Sequence, residues 1–97
     1  MNASPQWELQ KIANDLADLM SALYARWQDE KEFEKLEGYA LPIRPLLKQY
    51  GATFYSMTRR PFGCIFYYSG GTYKFTINSA KWRLSAVAPR VPSASSN

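Results

Sequence analysis

The side chains in this sequence that could do chemistry lie in its second half, where Arg59, Arg60, Tyr67, Lys74, Lys81 and Arg83 recur among β-branched and aromatic residues. Lysine and arginine neutralise phosphate oxygens, and a tyrosine stacks on an unpaired base or packs against a sugar. Residues of these types bind a polyanion. Catalysis is a poorer fit, because the chain contains no histidine. Ser-His-Asp and Cys-His arrangements are therefore excluded, and the usual general base at neutral pH is missing. The carboxylates fall in a segment that reads as solvated helix, where charges spaced three and four apart, such as Glu30, Lys31, Glu34 and Lys35, serve solubility. The single cysteine, Cys64, has no partner for an internal disulfide, and with no CxxC and no histidine a metal site is not expected. The reading is a non-enzyme without a cofactor.

Charge is distributed unevenly. All eight acidic residues lie between Glu8 and Glu37, accompanied by Lys11, Arg26, Lys31 and Lys35. From Gly38 onward there are basic residues and no acid at all: Arg44, Lys48, Arg90 and the cations named above, other than those four. Such asymmetry points to a partner that is itself negative, either nucleic acid or the acidic surface of a protein.

The elements that must position these cations follow from periodicity. Ser4-Pro5 reads as an N-cap followed by proline at the first helical position. Two apolar rows then run at alternating three- and four-residue spacing: Leu9, Ile12, Leu16, Leu19 and Leu23, flanked by Ala13, Ala17, Met20, Tyr24 and Trp27. An unbroken helix over 4–37 would be roughly 50 Å long, wider than a domain of this size, so a break near Gln28 is expected. The heptad-like row also permits a homodimer through this first helix. Gly38 suits a helix C′ position. A short second helix is predicted over 42–50, with Ile43, Leu46, Leu47 and Tyr50 on one face and Gly51 as the stop.

From Ala52 the composition turns β-branched and aromatic, with turn signals at Arg60-Pro61-Phe62-Gly63, Ser69-Gly70-Gly71-Thr72 and Asn78-Ser79-Ala80-Lys81. The pattern predicts four short strands over 52–87. Proline and serine crowd 89–97, which reads as a flexible tail. The expected fold is a single α+β domain over 1–88. It has two layers, with the long helix and the short helix packed on one face of a four-stranded antiparallel meander.

Gly70-Gly71 is a strong signal for a two-residue type I′ turn. That register sets Tyr68 against Tyr73, Phe66 against Phe75 and Cys64 against Ile77 on the core side, with Tyr67 facing Lys74 and Ile65 facing Thr76 outside. A Ser79-Ala80 turn then sets Trp82 against Ile77, Leu84 against Phe75 and Ala86 against Tyr73, leaving Arg83 opposite Thr76 and Ser85 opposite Lys74. The two turns agree on which side is buried. Cys64 should then be inert in an apolar setting. The first strand has two readings. A two- or four-residue loop after it turns Tyr55 and Met57 to the core, and a three-residue loop turns Phe54 there. Arg59 and Arg60 sit at the hairpin end in each.

Two functions from different classes are compatible with this pattern. The first is a nucleic-acid-binding module whose outer sheet face, carrying Tyr67, Lys74 and Arg83 with Arg59, Arg60 and Lys81 at strand ends, contacts phosphates. The second is a protein-interaction or inhibitor module, of the phage or mobile-element accessory type, that blocks a nucleic-acid-processing machine. In that case the acidic stretch from Asp29 to Glu37 would mimic phosphates. With no signal-peptide pattern and no apolar run long enough to cross a bilayer, a cytoplasmic protein with no membrane association is expected.

Overall fold

A computed structural model describes residues 5–29, 36–78 and 81–87. Helix α1 spans Pro5–Asp29 and helix α2 Leu36–Lys48, followed by strands β1 (Thr53–Thr58), β2 (Gly63–Tyr68), β3 (Gly71–Asn78) and β4 (Lys81–Ala86). The strands form one antiparallel sheet in the order β1-β2-β3-β4. Both helices pack on it, so the α+β meander predicted from the sequence is the observed architecture. The predicted tail over 89–97 lies outside the described residues.

The apolar stripe of α1 is consumed in the core of this chain. Leu9, Ile12, Ala13, Leu16, Met20 and Leu23 are all buried, with Leu19, Ala17 and Tyr24 packed partly against them. The row that suggested pairing with a second copy is thus occupied within the protomer. The helix runs as far as Asp29, through the position near Gln28 where a break is expected, and residues 30–35 lie outside the described ones.

The second helix begins at Leu36 rather than at Pro42, so Gly38 lies inside it instead of terminating the first, and Pro42 and Pro45 fall in its interior. Interior proline removes a backbone donor and presses on the carbonyl four residues back. Here both prolines are exposed, as are Gly38 and Leu41, whose carbonyls lose their partners, so these groups face solvent and not the core. On the opposite side Tyr39, Ala40, Ile43 and Leu47 are buried at helical spacing. Their burial, at roughly 1.5–3 kcal/mol for each large side chain, carries the helix through both prolines. It stops as the sequence predicts. Gly51 adopts a left-handed φ of 75°, and the amides of Gly51 and Ala52 donate to the carbonyls of Lys48 and Leu47, each at 3.0 Å.

The register between β2 and β3 differs from the expected one by two residues. Tyr68 pairs with Gly71, Phe66 with Tyr73, Ile65 with Lys74 and Cys64 with Phe75. The turn is therefore Ser69-Gly70, both with positive φ (49° and 81°), and not Gly70-Gly71. The slid register brings the backbones close together at the far end. Gly63 comes to lie against Thr76, where a Cβ would sit 2.0 Å from the Phe75 carbonyl oxygen, so only glycine fits. A slide of two residues leaves every side chain on its original face. Cys64, Phe66, Tyr68, Phe75 and Ile77 are accordingly buried as predicted. Between β3 and β4 the observed pairs are the expected ones, from Tyr73 with Ala86 to Ile77 with Trp82.

In β1 the four-residue loop Arg59–Phe62 turns Met57 inward opposite Cys64, but a register shift between Phe54 and Ser56 reverses the assignment beyond it. This bulge brings Phe54 inward opposite Phe66, beneath the Arg44 guanidinium at 4.6 Å, and sends Tyr55 outward. The expectation that Tyr55 joins the core is thereby overturned.

Two of the carboxylates on α1 are not simply solvated. The Tyr68 hydroxyl donates to Glu8 Oε1 and the Tyr50 hydroxyl to Asp15 Oδ2, tying the helix to the end of β2 and to the turn after α2. These hydrogen bonds, with burial, push Tyr68 from 10.0 up to about 12 and also raise Tyr50. Burial alone pushes the Cys64 thiol from 9.0 up to about 12.

All three groups are held neutral in the fold and ionise more readily when unfolded, so they stabilise fully below their unfolded values and lose that contribution as pH rises through their folded ones. Denaturant midpoints should stay level through neutral pH, begin to fall near pH 9.0, where the unfolded thiol ionises, and fall more steeply from 10.0 towards about 12. Tyr68→Phe should flatten the part above 10.0. An unchanged slope in that variant contradicts the pairing with Glu8. Glycine substitutions test the backbone. Gly38→Ala, where an added Cβ meets nothing within 4 Å, should raise stability by about 0.5–1 kcal/mol. Gly63→Ala should lower it by about 1–3 kcal/mol, read from thermal melts.

Candidate functional site

With the inward positions of the strands committed to the core, the outward positions form a face opposite the helices. It is best described as rows across the strands. The first row is Thr53, Tyr67 and Thr72; the second is Ser56, Ile65, Lys74 and Ser85; the third is Thr58, Gly63, Thr76 and Arg83; the last is Asn78 and Lys81. Tyr67 is 42% exposed, Arg83 and Lys81 are exposed, and Lys74 is half-buried.

The two-residue slide in the central hairpin changes who faces whom. Tyr67 lies opposite Thr72, and Lys74 lies between Ile65 and Ser85, so the expected direct Tyr67–Lys74 pair is not formed. The two are diagonal neighbours instead, at roughly 7–8 Å, and Lys74 stands in the same relation to Arg83. The result is an oblique line from Tyr67 through Lys74 to Arg83. On strand spacings of about 4.8 Å and rises of about 3.4 Å per residue, the line is roughly 17 Å long.

The remaining cations gather at one end of the sheet. Arg59 and Arg60 lie in the β1–β2 turn, next to the strand ends that carry Asn78 and Lys81. Pro61, preceded by a cis peptide, lines two hollows of about 320 Å³ each, as do Ile77 and Asn78. One is lined by Thr76, Asn78, Lys81, Trp82 and Arg83, the other by Tyr24, Arg60, Phe62 and Asn78. Arg60, Lys81 and Arg83 thus border a concave end of the sheet, a shape suited to phosphate oxygens.

The turn that presents Arg59 and Arg60 is held from below. Phe62 is 1% exposed and its ring lies 6.1 Å from that of Tyr24 on α1 and 5.8 Å from that of Tyr39 on α2. Its carbonyl accepts from the Ile77 amide at 2.9 Å, and Thr58 Oγ1 donates to the Pro61 carbonyl at 2.8 Å. The Tyr24 hydroxyl donates to Asn78 Oδ1 at 3.2 Å, fastening the neighbouring strand end to the same helix. The sequence places Phe62 in a turn and carries no cue that it is a core residue, since its burial depends on both helices converging beneath it.

Tyr55 is the outward residue missed by sequence reasoning. It is 59% exposed, and its ring lies 5.3 Å from that of Tyr67, tilted by 56°. Among the described residues no group of three or more Cys, Asp or Glu side chains could hold a metal ion, and no helix is long and apolar enough to cross a membrane. Comparison with protein-family models, curated proteins and solved structures finds no match.

Removing the Phe62 ring should loosen the basic turn and the fold together. Phe62→Ala is expected to cost about 3–5 kcal/mol in chemical denaturation, the range for a large aromatic truncated in a core. A loss below about 1 kcal/mol would show that the turn is held some other way.

Proposed function

We propose that this chain is a non-enzymatic binding module that contacts the phosphate backbone of nucleic acid through the outer face of its sheet. The observation that carries this reading is the pair Lys74 and Arg83 on the face opposite the helices, with Lys81 and Arg60 at the adjoining end of the sheet. No acidic residue follows Glu37 in the chain, so no carboxylate from any strand interrupts it. A face kept wet only for solubility mixes both signs of charge, because mixed charge limits self-repulsion and non-specific attraction. Cations on β3, on β4 and in the β1–β2 turn, with no anion among them, raise the local concentration of a polyanion and steer it to the sheet.

The absence of catalysis in this reading rests on chemistry. The chain has no histidine, and Cys64 is buried with its thiol pushed up to about 12, far from the thiolate a nucleophile needs. Glu8 and Asp15 each accept a tyrosine hydroxyl on the helix side of the sheet, away from the cations. A cytoplasmic setting, where nucleic acid is at hand and a lone thiol stays reduced, suits this activity.

Fluorescence anisotropy with labelled oligonucleotides across a salt series tests the proposal. Affinity should fall with log salt at a slope of about −0.9 per phosphate neutralised on duplex DNA, or about −0.7 on a single strand. Lys74→Glu and Arg83→Glu should each weaken binding and make the slope shallower by about one phosphate. Affinity that is absent at low salt, or insensitive to both substitutions, overturns the reading and leaves the face to an acidic protein surface.

A further inference from the structure

The tyrosine pair at the other end of the outer face has no role in neutralising phosphate. Tyr55 and Tyr67 come from different strands, are 59% and 42% exposed, and stand with ring centroids 5.3 Å apart. Tyr67 is flanked along its row by Thr53 and Thr72, side chains too short to shield its ring. Tyr55 reaches the face only because the bulge in β1 turns it outward, while Phe54 takes the inward place opposite Phe66. Had the strand continued in regular register, one of these rings would have gone to the core. Exposed aromatic rings are not needed for solubility, and two side by side make a surface on which a flat, partly apolar group can lie.

We propose that Tyr55 and Tyr67 are a stacking platform for unpaired bases, and that the outer face therefore selects single-stranded nucleic acid over duplex. This rests on the phosphate-binding reading and adds the class of strand. In a duplex the bases are stacked on one another and their faces are closed to protein side chains; in a single strand each base offers a face whatever its identity. A strand with a base on Tyr67 has Lys74 one diagonal step away and Arg83 one step further, so its backbone meets a cation at each stage. The roughly 17 Å of that path corresponds to about five nucleotides at ~3.4 Å each, and fewer when the strand is extended. Charge complementarity supplies the attraction, and the rings supply the discrimination.

The test compares labelled oligo-dT, oligo-rU and a mixed-sequence duplex of the same length, by anisotropy at one salt concentration. Wild-type protein should bind at least one of the single strands about tenfold or more tighter than the duplex, and the ratio of the two single strands identifies DNA or RNA as the source. Tyr55→Ala and Tyr67→Ala should each weaken single-strand binding by about 5- to 150-fold, the range for loss of one base–ring stack, while duplex affinity and the salt slope stay as in wild type. Tyr55→Phe and Tyr67→Phe, which keep the ring, should retain single-strand affinity, so a folding defect in an alanine variant does not decide the matter. Duplex bound as tightly as single strand, or single-strand affinity indifferent to loss of both rings, overturns the platform and leaves the phosphate reading standing. No binding to any of the three ligands overturns both.

Discussion

One constraint organises this molecule: among the described residues, the sheet is covered on a single side. Side chains alternate along a strand, so burying Cys64, Phe66 and Tyr68 on β2 and Phe75 and Ile77 on β3 obliges the residues between them to face away. Tyr67, Lys74 and Thr76 are outward for that reason alone, and Arg83 follows through its pairing with Thr76. The helices complete the inward side. The stripe from Leu9 to Leu23 on α1 and Tyr39, Ile43 and Leu47 on α2 close over the rings, including the stacked pairs Phe66–Tyr73 and Phe75–Trp82 at 5.8 and 5.7 Å. Sliding any strand by a single residue would expose that apolar set, which is why parity is maintained even where pairing differs.

Charge segregation follows the same division. Glu8 and Asp15 lie on the helical side and are drawn into hydrogen bonds with Tyr68 and Tyr50, two tyrosines from outside α1. Those contacts fasten α1 to the sheet and to the turn after α2, and they place negative charge behind the sheet and not on its outer face. The cations of the strands then act together without a carboxylate among them. The helical layer thereby holds both signs of charge, while the strands carry cations alone.

The two ends of the outer face are shaped by different devices. At one end the Phe62 ring, lodged against Tyr24 and Tyr39, holds the turn that carries Arg59 and Arg60 beside Lys81. At the other end a bulge in β1 supplies an additional outward ring. Both are departures from regular pairing, and both aim side chains that a regular hairpin would have left elsewhere. Rings at one end and cations at the other give the face a direction, which a uniformly basic surface lacks.

Much of this was legible in the residues alone. The period-2 pattern on both sides of the glycine turn specified which of the residues from Cys64 to Leu84 are core and which are outward, and Lys74 and Arg83 could be assigned to a common face because parity survives a two-residue slip. The Gly51 stop and the inward Cys64 were likewise local matters of composition and spacing. What only the tertiary structure decided were features whose energy comes from distant partners. Gly38, Pro42 and Pro45 sit inside α2 because Tyr39 and Ile43 are buried against other elements, outweighing the local stop signals. The turn falls at Ser69-Gly70 in a register that brings Gly63 against the backbone at Phe75 and Thr76, an approach only glycine permits. Phe62 is core because two helices converge under it, and Tyr55 is outward because Phe54 takes the inward position against Phe66 and Arg44. Local pattern reports the period of a strand, but a bulge, a close approach or a plug is settled by the packing of the assembled layers, which no window of sequence contains.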